Sequence, residues 1–174
     1  MDKPKPQEYP AYFQRYISLV PNGEIIDLLI QLQQETSLIL SRLSEEVGSY
    51  RYEKDKWSIK EVIGHIIDTE RVFAYRAFCF ARDKNTPQSS YDQDIYAENS
   101  NYHHRSLLEI AEEYRTVRDN SIIFFRSLDE ETTNNMGSTS DYHMSLRSIP
   151  YIIVGHELHH RRVIEEKYIK KSLL

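Results

Sequence analysis

Apolar residues fall at intervals of three and four along four stretches of the chain, the spacing of helices that bury one face. The first stretch carries Ile25, Leu29, Leu32, Ile39, Leu43 and Val47. It predicts one long helix that starts after Pro21 and Asn22 and stops at Gly48. The second opens at Ser58-Ile59-Lys60-Glu61, a pattern in which serine and glutamate side chains satisfy free backbone donors reciprocally. Trp57 before this cap can staple onto Val62, and Val62, Ile63, Ile66, Phe73, Ala74 and Ala77 carry the stripe to about Ala81. Residues 82–105 are polar and lack periodicity, so they read as one long loop, a length often tied to function. Ser106-Leu107-Leu108-Glu109 repeats the capping pattern and starts a third helix with Leu107, Ile110, Ala111, Tyr114, Val117, Ser121, Phe124 and Leu128 on its stripe. After a polar stretch over 129–141, a fourth begins near Ser148, with Pro150 in its first turn where a missing N–H is tolerated. No segment reads as a strand. The expectation is an all-α four-helix bundle with a long loop between helices 2 and 3.

Composition narrows the field. A chain of 174 residues, 40% apolar and 28% charged, suits one globular domain over 1–174, with residues 1–10 expected to be flexible. Residues 1–10 have no apolar run and thus no signal-peptide or anchor character, and no stretch reaches the roughly 18 apolar residues of a membrane span. These features predict a cytoplasmic protein that engages no membrane. The lone Cys79 cannot build a thiolate metal cage, so a metal site here would use imidazole and carboxylate. A net charge of -5 argues against nucleic acid as a partner. The short basic pair Arg161-Arg162 is answered at helical spacing by Glu165-Glu166.

Chemistry concentrates on the fourth helix. At about 100° per residue, His156 and His160 fall within about 20° of the centre of the face formed by Ile149, Ile152, Ile153, Val163 and Ile164, while His159 points about 80° away. Two imidazoles in an aliphatic face need partners. These could be carbonyls and hydroxyls, or one metal ion. Gly64 and Gly155 each precede a histidine inside a helix, where glycine costs about 1 kcal/mol against alanine, so close packing is expected there. His65, at the flank of the second helix's stripe, could supply a third ligand, but periodicity does not choose it over His103, His104 or His143. The string His156-Glu157-Leu158-His159-His160 matches H-E-x-x-H, with Glu157 as a would-be base. Its context fails: few residues follow, Val163 stands where an extended metalloprotease pattern needs glycine, and no strand exists to align a peptide. On the opposite side of this helix Tyr151, Val154 and Leu158 form a second apolar stripe, to be covered by the segment 9–20 or by a homodimer.

Lys56-Trp57-Ser58-Ile59-Lys60-Glu61-Val62-Ile63-Gly64-His65, followed in order by Gly155-His156-Glu157-Leu158-His159-His160, resembles the DinB-like (DinB/YfiT) superfamily over nearly the whole chain. The resemblance implies a four-helix bundle with a three-histidine metal site, whose ligands carry over to His65, His156 and His160. Tyr91-Asp92-Gln93-Asp94 looks like that family's loop between helices 2 and 3, without the usual Pro-Gly before it. Relatives act with mycothiol, bacillithiol or glutathione, and others are assigned as metal hydrolases. By that resemblance the expected cofactors are one divalent ion, zinc or nickel, and a low-molecular-weight thiol, with a small electrophile as partner. Tyr91, Asp92, Asp94, Glu157 and His159 are the expected lid or supporting groups. The leading expectation is a metal-dependent transferase joining the thiol to an electrophile. A metal-dependent hydrolase and a non-catalytic metal-binding or interaction protein are the alternatives.

Overall fold

A computed structural model describes residues 1–169. A short helix α1 (Gln14–Ile17) precedes α2 (Ile25–Arg42), and α2 ends earlier than the apolar stripe suggested. Leu43 is extended, and Ser44 caps a separate short helix α3 (Glu45–Ser49) by accepting the Val47 N–H at 3.3 Å. The local cap, with Glu45 and Glu46 in its first turn, wins over continuation of the stripe to Val47.

Both predicted capping boxes are present. Glu61 accepts the Ser58 N–H at 2.7 Å at the start of α4 (Ile59–Arg82). The segment after α4 is not a plain loop. Asp92 accepts the N–H groups of Asp94 and Ile95 and so starts α5 (Gln93–Asn99), and a 3-10 turn follows over Tyr102–His104. Glu109 then accepts the Ser106 N–H at 2.9 Å at the start of α6 (Leu107–Arg126). The next polar stretch holds α7 (Glu130–Thr133) and two strands, β1 (Met136–Ser138) and β2 (His143–Ser145), paired antiparallel with Gly137 opposite Met144. The expectation of no strand was wrong here, because three-residue strands are too short to show alternation. Finally α8 (Ser148–Val163) carries Pro150 in its first turn and runs on as a π-helical segment, Ile164–Ile169. The four long helices α2, α4, α6 and α8 form the expected bundle. Among the described residues none is long and apolar enough to cross a membrane.

The N-terminal residues, expected to be flexible, make contacts with β2 and α8. Glu8 pairs with Arg147 and accepts from Ser145 Oγ at 3.0 Å, and the Tyr151 hydroxyl donates to the Met1 carbonyl at 2.9 Å. Tyr9, Phe13, Tyr16, Ile17 and Val20 are buried in one apolar cluster with Tyr151 and Val154, with Leu158 packed against it. The second stripe of α8 is thus covered within the chain, and no second copy is needed to cover it.

A buried polar network joins all four long helices. Arg118 on α6 has no exposed surface. Its Nε and Nη2 donate to Glu70 on α4 at 2.8–3.1 Å, Nη2 also donates to Glu157 on α8 at 2.6 Å, and Nη1 reaches the Leu29 carbonyl on α2 at 3.3 Å. The second oxygen of Glu157 accepts from Thr36 and Tyr114, both at 2.6 Å. At the surface, Arg162 pairs with Glu166 as expected, but Arg161 reaches across to Glu35 on α2.

Arg118→Met leaves two buried carboxylates without their cation, so urea denaturation is expected to show a loss of about 3–5 kcal/mol. Arg162→Met, at a solvated pair, is expected to leave the midpoint nearly unchanged. Equal midpoints for Arg118→Met and wild type would contradict the network's role.

Candidate metal centre

His65 and His156 are buried and His160 is partly buried, and their rings meet at the α4–α8 contact. His65 Nε2 lies 3.0 Å from His156 Nε2, and His160 Nε2 lies 3.1 Å from the same atom. All three ligand atoms fall within 4.8 Å of one another. The structure therefore chooses His65 as the third member of the cluster. His103 and His104 lie against each other in the 3-10 turn with their rings tilted by 47°, and His143 is exposed on β2.

The two glycines position this cluster. A Cβ on Gly64 would come 2.1 Å from Cδ2 of Tyr102, whose ring packs against α4 at this position. Asn101, in the left-handed region at φ 58°, turns the chain into that position. A Cβ on Gly155 would come 2.1 Å from the Tyr16 carbonyl oxygen, so α1 presses on α8 one residue from His156. The close packing expected at both glycines is present, made by a 3-10 turn and by α1 rather than by two long helices. The Trp57 ring sits 4.9 Å from that of His65, and Tyr16 sits 5.3 Å from His156.

The donor set fits a metal ion. Imidazole nitrogens at about 2.0–2.1 Å from a tetrahedral ion lie about 3.3–3.4 Å apart, a few tenths of an ångström beyond the two spacings made by His156 Nε2, with the third pair within 4.8 Å. Hydrogen bonding among neutral rings would make His156 Nε2 share one lone pair or one N–H between two neighbours, a strain that a shared metal ion would relieve. Burial pushes the pKa of His65 down to about 4; burial, then the neighbouring His65, His159 and Arg15, push His160 down to about 3. Burial and the adjacent imidazoles hold His156 well below its usual value. All three rings are then neutral near pH 7, the form that ligates.

The other expected site residues divide. Glu157 faces away from the cluster into the Arg118 network and is no free base. Tyr91 does approach: its hydroxyl is 3.0 Å from Oγ1 of Thr69, one helical turn beyond His65 on α4. Burial raises the pKa of Tyr91, so it stays a protonated phenol. Asp92 is occupied as the α5 cap, and Asp94 is exposed in the first turn of α5. His159 packs beside Tyr16 and His160, outside the cluster. Sequence reasoning missed Tyr16 and Thr69. Thr69 stands at i+4 from His65, a signal that was present, whereas nothing in the local pattern marks Tyr16.

Residues 28–164 match the family model of the DinB superfamily. The chain belongs to the DinB superfamily. The fold agrees with this membership. YfiT from Bacillus subtilis, a probable metal-dependent hydrolase with an unusual four-helix bundle topology, is similar with a TM-score of 0.73 at 14% identity, covering 98% of this chain and 94% of that one. The mycothiol-dependent maleylpyruvate isomerase is similar with a TM-score of 0.67 at 11% identity over 83% of this chain, which spans 61% of that protein. A DinB-like protein of Bacillus subtilis, YjoA, gives 0.62 at 15% identity, covering 86% of this chain and 93% of that one. At these identities the likeness shows the DinB fold. No curated protein matches the sequence.

Folded His65 titrates near 4, while an unfolded histidine titrates near 6.5, so the unfolded chain binds its proton first. The metal-free protein therefore has this contribution in full above about pH 6.5 and loses it as the pH falls toward 4. Thermal melts of metal-free protein at about pH 7.5 and about pH 5.5 are expected to show a lower midpoint at the acid pH, with a smaller drop in His65→Gln. An equal drop in both proteins would contradict the buried neutral state.

Proposed function

We propose that this DinB-superfamily chain binds one divalent metal ion through His65, His156 and His160 and works as a metal-dependent transferase joining a low-molecular-weight thiol to an electrophile. The observation that carries the reading is the convergence of three neutral Nε2 atoms, two contacts of which are 3.0 and 3.1 Å. Zinc or nickel suits three imidazoles. Such an ion, when bound, acts as a Lewis acid that lowers the pKa of a thiol or water at its remaining positions.

The protein's own residues do the rest. Three side chains from α4 and α8 leave the remaining positions to water, thiol or substrate, the arrangement of a reactive rather than a structural centre. The rings of Trp57 and Tyr16 flank the cluster with apolar surface, and the Tyr91 hydroxyl beside Thr69 offers a donor one turn away. Among the described residues no carboxylate joins the cluster, and Glu157 is engaged by Arg118. An ion held there would acidify water as well as a thiol, and the choice of a thiol nucleophile rests on the greater intrinsic nucleophilicity of a thiolate. The likeness to a mycothiol-dependent isomerase supports the same choice. We place the activity in the cytoplasm, where small thiols are kept reduced. Hydrolysis is the second reading, favoured by the full-length likeness to YfiT.

Metal-loaded protein is expected to consume a test electrophile such as chlorodinitrobenzene only when bacillithiol, mycothiol or glutathione is added, and to lose at least about a hundredfold of that rate in His160→Ala. Product formation from an ester or amide without any thiol would move the assignment to hydrolase. Silence under both conditions would leave a metal-binding protein without turnover.

A further inference from the structure

Arg76 on α4 is a buried cation without an anion. It is 2% exposed, yet it forms no ion pair among the described residues. Its Nη1 donates to the Tyr142 hydroxyl at 3.0 Å and its Nη2 to the Ser89 carbonyl at 2.8 Å, both neutral acceptors. Its Nε–H has no hydrogen-bond partner. The rings of Phe73, Tyr91 and Tyr142 surround the guanidinium at 5.2–5.9 Å, which eases its desolvation without cancelling its charge. A buried charge left this way is costly unless an anion completes it.

Arg76 also lines a cavity of about 490 Å³ between α4 and the segment 86–96. Arg71, Tyr75, Ser90, Tyr91 and Tyr96 share its wall, and no acidic residue does. Asp141 touches the wall from outside through Ser90 and is exposed. Arg71 is already paired with Glu113 at 2.6 Å and Asp68 at 3.3 Å, which leaves one uncompensated positive charge. A single planar guanidinium suits a monoanion with two oxygens in a plane better than a phosphate dianion, which calls for more cations.

We propose that this cavity is a subsite for the carboxylate of a small organic molecule, with the Arg76 guanidinium as its anchor and the tyrosine rings as walls for the carbon skeleton. The proposal does not depend on a metal at the histidines. Tyr91 connects the two places, since its ring faces Arg76 while its hydroxyl meets Thr69, one turn from His65.

The test is calorimetric titration of the full chain, metal-free and zinc-loaded, with benzoate, its neutral analogue benzamide and inorganic phosphate at low salt. Benzoate is expected to bind saturably in both forms, with benzamide and phosphate weaker by at least about tenfold. Arg76→Met is expected to lose benzoate by at least about tenfold, while Arg42→Met, at an exposed position at the end of α2 and outside the cavity, stays within about threefold of wild type. In wild-type protein the Nε–H resonance of Arg76 is expected to shift on benzoate addition, which keeps the proposal testable should Arg76→Met fail to fold. No benzoate binding, equal binding of benzamide, or an unmoved Arg76 resonance would overturn it. Preference for phosphate would overturn the carboxylate assignment.

Discussion

Arg118 is held out of water between two carboxylates, and the orientation of the bundle follows from that arrangement. Glu70 and Glu157 sit on α4 and α8, the helices that carry the histidines, and each must aim at the guanidinium on α6. Glu157 directly follows His156, so when its side chain is fixed toward α6 and α2, His156 is turned about 100° away, toward α4. Thr69 and Glu70 divide α4 in the same manner, one on the histidine side and one on the arginine side. A buried ion pair is weak grounds for stability, but it is a strict constraint on register because neither partner tolerates solitude in the core.

This constraint explains how α8 can be buried on every side from Ser148 to Glu157. One side meets α4 through histidines, another meets α2 and α6 through Glu157, and a third lies under α1 through Tyr151 and Val154. The histidines are thereby presented as neutral groups in a desolvated wall, with aromatic rings beside them and, among the described residues, no carboxylate in the cluster. Under the proposed reading, an ion held by such a wall would acidify a thiol or a water. A carboxylate anchor at Arg76, connected through Tyr91, would give a small organic acid a second point of attachment on the same helix.

Much of the bundle could be read from spacing and caps. Ser58 with Glu61 and Ser106 with Glu109 announced two helices to the residue, and Pro150 marked the first turn of a third. The break at Leu43 escaped because the apolar stripe runs on to Val47, whereas the backbone obeys the Ser44 cap. The hairpin over 136–145 escaped because its strands are three residues long. In the site, the pair His156 and His160 stood out by periodicity, but His65 came from the family resemblance. Its burial depends on Trp57 and on the distant α8, which no local pattern encodes. Glu157, expected only as a lid or supporting group once the H-E-x-x-H context failed, has its partner Arg118 39 residues away in sequence, beyond any local pattern.

Under the proposed reading, three histidines from two helices converge to hold one ion. Elemental analysis of untagged protein after incubation with zinc or nickel and exhaustive dialysis tests it most directly, with His65→Ala and His160→Ala measured alongside. About one ion per chain is expected in wild type, with most of it lost in each variant and the helical circular dichroism retained. Wild type without metal, or variants that keep the full complement, would contradict it.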